Sequence, residues 1–379
     1  MLCMILVSCT GQKTGKENDN NDKIAIEVGE IKFPPQDVLQ LKSYYLSSSV
    51  HVDSIDYLIG YNYRLHSLDC MNLKSKSVTQ IVLPGDGPDA IVRLSGIYAQ
   101  SLDSVWISDE SERAFLIDSV GTIKRMIDLK KYLEDQEQLL INTNYAMFTS
   151  HLFYNASRHS LMFLVKHTPS NTFIVKEAFI DEVGKMATYQ LSSSKVVPDM
   201  SKGYAYINFP NVNFVGENIV YNYPVESSIY MLDIRTNERK YILADSHYTS
   251  NIIEKCTTSG DYATLEKHWL ENSHFYDIMY LPKYKIYARL HADKVDFDEK
   301  KGMEKLINER DLYLMLFDEN MEKIGETKLS NCRYSPFTSW NATYGGIALF
   351  VDNVLDEKNN TDDLTIDIIS VSYTHLTLP

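Results

Sequence analysis

"AFLIDSVGTIKRMIDL", Ala114 to Leu129, is an apolar run closed by Asp118, a turn, and a second run. "AFIDEVGKMATYQL", Ala178 to Leu191, repeats it around Asp181, 63 residues later. The pattern recurs in "LHSLDCMNLKSKSVTQIVL" on Asp69, "IYMLDIRTNERKYIL" on Asp233 and "LYLMLFDENMEKIGETKL" on Asp318, with a partial copy, "LTIDIISV", on Asp367. Successive gaps are 49, 63, 52, 85 and 49 residues. In the first five copies Gly or Asn follows nearby (Asn72, Gly121, Gly184, Asn237, Asn320), which suits an aspartate that accepts turn amides beside a residue tolerating positive φ. The repeated aspartate therefore reads as a turn former, not a metal ligand or a catalytic group, because each belongs to a different unit.

Before each copy lies a strand-like run: "SIDYLIGYN", "SVWISD", "SLMFLVKH", "NIVYNYP", "KIYARLHAD" and "GIALFVDN". Before those come "SGIYAQS", "YAMFTSHLFYN", "FPNVNFVGE" and "FYDIMYLP". Four strands in roughly 50 residues, repeated, are the signature of a β-propeller. Six units predict an all-β, six-bladed β-propeller. The sixth unit lacks a fourth strand, whereas "IAIEVGEIKF", Ile24 to Phe33, belongs to no unit. It is expected to be the outer strand of the last blade, closing the ring so that no long edge is left exposed.

Composition agrees. The chain has 379 residues, 44% hydrophobic, with 26 Tyr and 14 Phe against 16 Gly and 11 Pro, a balance that favours half-buried strands. A net charge of −14 without a Lys/Arg cluster argues against nucleic acid as a partner. Cys70, Cys256 and Cys332 show no C-x-x-C spacing and read as free thiols.

The opening "MLCMILVSCTGQ" is apolar up to Cys9 and polar from Thr10. Leu6, Val7 and Ser8 before Cys9 resemble the lipobox of bacterial lipoproteins, which makes Cys9 the expected lipid attachment site. No Lys or Arg precedes Cys9, so residues 1–8 read as a truncated lipoprotein signal peptide and 9–23 as a flexible tether. The propeller is expected over 24–371. The tail "SYTHLTLP", residues 372–379, reads as non-native. The expected location is the cell envelope, on its periplasmic face or the cell surface, with membrane contact only through this lipid anchor.

A family resemblance rests on the lipobox together with "GDGPDAI" (Gly85 to Ile91), "DSVWISD" from Asp103, "HWLENSHFYDIMYLPKYKIYAR" (His268 to Arg289), "SPF" at Ser335 and "GGIALF" at Gly345. In these the chain resembles domain-of-unknown-function family 4221, propeller-like lipoproteins of Bacteroidetes, over roughly Lys32 to Val371. Leu281 stands where the family pattern usually has Asp. The resemblance implies a fold and a location and no established activity.

In a propeller the chain runs from the central channel outward in each blade. Connections between blades and those between second and third strands therefore share one face. The long irregular stretches fall there: Asp245 to about His274, with a helix expected near 261–272, and about Asp293 to Arg310, with another near 303–310. Long loops on a rigid scaffold are where binding residues concentrate. The candidates on this face are Asp86 in "GDGPDA", Trp269, and Asp293, Asp296 and Asp298 in "DKVDFDEKK".

Those aspartates with Glu299 carry oxygen ligands suited to Ca²⁺, but the glycine turn and distal Glu of an EF-hand loop are missing, and solvated acidic loops are the expected reading. His247, His268 and His274 share one insertion without a zinc spacing, so neither a metal nor another cofactor is expected. Arg289, on the second strand of blade five, is a further binding candidate: a buried guanidinium requires partners, so it either bridges blades or points into the channel mouth.

No G-x-S-x-G elbow, P-loop or dinucleotide turn is present, and no catalytic residue is assigned. The leading expectation is a binding or interaction module for a glycan, a peptide or an envelope protein. The alternatives are a glycan hydrolase or lyase with carboxylates gathered at the channel mouth, and a purely structural envelope protein.

Overall fold

The hairpin of Ala114 to Leu129 forms the outer half of a four-stranded antiparallel sheet, Leu94–Ser101, Ser104–Asp109, Arg113–Ile117 and Ile123–Asp128. Ala114, Phe115 and Ile117 are buried, and Asp118 turns the chain: its Oδ1 accepts the amides of Val120 (3.1 Å) and Thr122 (2.8 Å). Gly121, at φ +84°, completes the turn, and a Cβ there would lie 2.4 Å from the Val82 carbonyl oxygen of the preceding blade. The computed structural model describes residues 24–34, 41–144, 148–196, 203–204, 207–256, 261–358 and 362–373. Cys9, the expected signal and tether before residue 24, and residues 374–379 lie outside the described residues.

The described residues form six sheets arranged as a ring, a six-bladed β-propeller. Blade one is Ser47–Val52, Ile55–Asn62, Ser67–Asn72 and Val78–Val82, and the sheet above is blade two. Blade five is His274–Leu281, Ile286–Ala292, Leu312–Phe317 and Lys323–Lys328. Blade six is Trp340–Ala342, Ile347–Phe350, Leu364–Tyr373 and, outermost, Ile24–Phe33. The N-terminal strand pairs antiparallel with Leu364–Tyr373 from Ile24↔Tyr373 to Phe33↔Leu364, so the last strand runs two residues past the expected boundary at 371.

Blades three and four depart from four strands each. Blade three contains Ser160–His167, Thr172–Phe179 and Met186–Gln190, with its inner position shared by Glu137–Leu140 and Phe153–Asn155. Blade four, Asn211–Val215, Asn218–Asn222, Ile229–Asp233 and Arg239–Ile242, gains Phe148–Ser150, parallel to its first strand, and then Asn142–Asn144. The run "YAMFTSHLFYN" is thus divided between two blades, and the chain crosses between them at His151 and Leu152.

The turn chemistry holds at Asp118, at Asp233, which accepts the amides of Arg235 and Thr236, and at Asp318, which accepts those of Asn320 and Glu322. Blade one corrects the pattern. Asn72 caps its outer turn, accepting from Lys74 and Ser75, while Asp69 sits three residues earlier, inside the third strand. There it accepts from Tyr44 Oη (2.7 Å) and Asn62 Nδ2 (2.9 Å). Gly60 permits this: a Cβ on it would stand 2.4 Å from the Tyr44 ring. Asp181 pairs with Arg125 of blade two, Nη1 at 3.0 Å.

Neighbouring blades bury apolar faces against each other. Leu68 and Ile81 of blade one pack with Ile97, Ile107 and Phe115 of blade two, and Leu290 and Leu314 of blade five with Ile347, Leu349 and Ile369 of blade six. At about 1.5–3 kcal/mol per fully buried large side chain, these seams hold the ring. Among the described residues the α-helices are Tyr262–Leu270, capped by Asp261 on the Ala263 amide, and Met303–Asn308. Among the described residues no helix is long and apolar enough to cross a membrane.

Candidate functional site

A cavity of about 770 Å³ lies on the loop-rich face. Every residue lining it comes from a connection between blades, a second-to-third-strand connection, or the edge of one. Arg93, Leu94 and Ser95 open blade two, and Glu110 follows its second strand. Ser335, Phe337 and Thr338 link blades five and six, and Asp352 and Val354 follow the second strand of blade six. Glu304 and Asn308 enter on the helix Met303–Asn308, and Tyr45, 59% exposed, stands on the segment before blade one.

Three features define its chemistry. Asp352 lies where blades five and six join, and its Oδ1 accepts the Ser335 amide at 3.0 Å. Burial pushes its carboxyl up to about 6, against hydrogen bonds from Ser43, the Ser335 amide and Thr338, which favour the ionised form. Asn308 donates through Nδ2 to the Glu304 carbonyl at 2.8 Å, which fixes the amide's orientation. Its Oδ1 is buried and has no hydrogen-bond partner among the described residues. Arg93 and Glu110 pair loosely at 3.6 Å, both well exposed, so each is available to a ligand.

None of the anticipated binding residues is in the lining of this cavity. Asp86 is exposed in the same inter-blade loop that delivers Arg93. Asp293 accepts the Lys294 amide and its backbone carbonyl accepts Arg310 Nε (2.8 Å); Asp298 accepts the Lys300 amide; Asp296 is exposed. These bonds spread the aspartates along their loop, and among the described residues no three His, Cys, Asp or Glu side chains gather as a metal site. Trp269 is buried, with the Arg310 guanidinium 5.0 Å from its ring and Phe337 of the cavity wall 5.8 Å away. Arg289 is fully enclosed between blades four and five.

Sequence reasoning missed Asp352, Asn308 and Arg93. Arg93 and Asp352 stand one and two residues outside a strand and Asn308 ends a six-residue helix, places where hydrophobic periodicity no longer says which way a side chain points. The available signal was topological: all three stand on the connections assigned to the loop-rich face.

The sequence profile described as domain of unknown function 4221 matches residues 17–328, which spans the chain through the last strand of blade five. The chain belongs to this family. Domain of unknown function 4221 also supplies a solved relative from Bacteroides vulgatus, 14% identical, with a TM-score of 0.74 over 94% of this chain and 100% of that one. A protein of Bacteroides fragilis, named as a candidate exported protein, is 13% identical with a TM-score of 0.56 over 95% and 98% of the two chains. At these identities the likeness is one of fold. No protein of curated function matches the sequence.

Proposed function

We propose that this member of domain of unknown function 4221 is a lipid-anchored cell-envelope binding module that takes a glycan, a peptide or an envelope protein into the cavity of its loop-rich face. The observation that carries the reading is the cavity itself, about 770 Å³ on the loop-rich face and walled by residues that separate connections of the ring bring together. Arg93, Glu110 and Asp352 add charge of both signs, and Tyr45 and Phe337 add aromatic surface, the mixture expected where a few polar groups orient a ligand on apolar walls. The anchor rests on Leu6 to Cys9, and the exported character named for the Bacteroides fragilis protein supports an envelope location.

Glycan and peptide arrays probed with the purified chain test the reading. A binder selected there should lose affinity at least tenfold with Ser95→Trp, which fills the cavity. Retained binding in Ser95→Trp would place recognition elsewhere. The anchor is tested separately: Cys9→Ala should move the protein from the membrane fraction to the soluble fraction.

One observation favours a second reading, a glycan hydrolase or lyase. A carboxyl held near 6 in the same cavity as Glu110 and Glu304 has the protonation needed of a general acid near neutral pH. Turnover of a polysaccharide by the purified chain, lost in Asp352→Asn while binding persists, would establish it.

A further inference from the structure

A second cavity, about 330 Å³, occupies the central channel, and its lining includes residues from all six blades. Gly216 and Pro282 at its mouth belong to turns after first strands, and Val215 ends one, so it opens on the face opposite the larger cavity. Three residues from different parts of the ring meet in it. Asp277 accepts Trp340 Nε1 of blade six on Oδ1 and His151 Nε2 on Oδ2, each at 3.1 Å.

The backbone departs from regular pairing at both ends of this dyad. Blade five carries a bulge between Phe275 and Ile278, one residue more than the facing strand, and Asp277 lies in it. Bulges re-aim side chains, and this one delivers a carboxylate only 3% exposed to the channel axis. His151 sits where the chain crosses from blade four to blade three, between Phe148–Ser150 and Phe153–Asn155.

The bonding fixes the imidazole's chemistry. An ionised carboxylate only accepts, so Nε2 carries the proton in the neutral ring and Nδ1 presents a lone pair. Among the described residues nothing bonds Nδ1, and the side chain is 22% exposed. The same lining holds Ser48, whose hydroxyl accepts the Ala99 amide and keeps its own proton to donate, and Asn341, whose Nδ2 is used on Ser47 and whose Oδ1 bonds nothing among the described residues. Tyr98, Phe214 and Tyr280 form apolar walls. No Lys or Arg is among the described residues of the lining, so nothing compensates an anion beside Asp277.

The geometry points to a second ligand site in the central channel, in which Asp277-oriented His151 accepts a hydroxyl of a neutral, hydroxyl-rich ring the size of a monosaccharide. The volume lies at the low end of ligand pockets and suits one such ring. Free hydroxyl donors meet Nδ1 and Asn341 Oδ1, a ring oxygen meets Ser48, and the apolar face meets the aromatic wall.

Diethyl pyrocarbonate, which labels unprotonated imidazole nitrogen, tests this on the full chain, with mass spectrometry reading His151. Glucose, galactose and N-acetylglucosamine serve as neutral probes and glucuronate as the anionic one. At least one neutral sugar should slow labelling of His151 several-fold in a saturable way, and glucuronate should not. In the same titration the His151 ring resonance, assigned by its absence in His151→Gln, should shift. Should that variant not fold, the labelling of the native chain decides alone. Labelling unchanged by all three neutral sugars, or slowed equally by glucuronate, would overturn the assignment.

Discussion

Arg289 of blade five donates through Nη1 to the backbone carbonyl of Ser227 in blade four, 2.5 Å away, and through Nη2 to that of Ala244, 2.9 Å away. Its guanidinium also lies over Phe275 at 4.8 Å. This is a strut between blades. Met would fill the space and relieve the desolvation of a buried cation, but it would orphan two buried carbonyls, each worth about 1–3 kcal/mol. Arg289→Met is therefore expected to lose about 2–3 kcal/mol in urea unfolding, with Arg289→Lys intermediate. Unchanged stability in the Met variant would show that the strut contributes nothing net.

Glu326 lies on the same seam. Burial opposes its ionisation, yet bonds from His291 Nε2 (3.0 Å), Ser246 Oγ (2.6 Å), the His247 amide (2.9 Å) and Lys323 Nζ (3.0 Å) outweigh it and hold the carboxyl down to about 2. With the folded value below 4.5, its contribution is present above pH 4.5 and lost as pH falls toward 2. Glu326→Gln should cost about 2 kcal/mol at pH 7. Its stability should change less than the parent's between pH 4.5 and 2, and parallel acid titrations of the two would contradict this.

The fold and the site differ in how far the sequence determines them visibly. Ring closure by Ile24–Phe33 could be read because a lone strand and a blade short of one strand have a single economical pairing. Asp118 could be read because an Asx turn is local chemistry. Asp69 could not: Asn72 performs the turn three residues later, and what places Asp69 inside the strand is Tyr44, 25 residues away. His151, Asp277 and Trp340 lie still further apart, in three separate stretches of the chain. Nothing in the alternation of each stretch marks the bulge or the crossover that brings them to one axis.

The closing strand carries a sharp expectation. Ile24–Phe33 covers the whole outer edge of Leu364–Tyr373, Phe33 is fully buried, and Glu30 pairs with Arg333 at 2.9 Å. Removing residues 24–33 would leave a ten-residue edge ready to pair with another chain. The truncated protein should aggregate or dimerise by size-exclusion chromatography, and a peptide of residues 24–33 should restore the monomer. A stable monomeric truncation with an unchanged melting temperature would refute closure by this strand.

Asp352 makes the opposite pH prediction to Glu326. Its folded value is raised from 3.8 to about 6, so the protonated form is the one the fold favours. Its contribution is fully present below pH 3.8 and lost as pH rises through about 6. At pH 7.5 the ionised carboxylate therefore works against folding, by about 1–2 kcal/mol once its partial contact with solvent is allowed for. Asp352→Asn keeps an acceptor for the Ser335 amide and removes the charge, so it should raise stability at pH 7.5 by that amount. The gain should shrink as the pH falls through 6 and vanish by about pH 4. Thermal unfolding of both proteins across this range checks it, and a gain that persists undiminished at pH 4 would mean that Asp352 is not protonated in the fold.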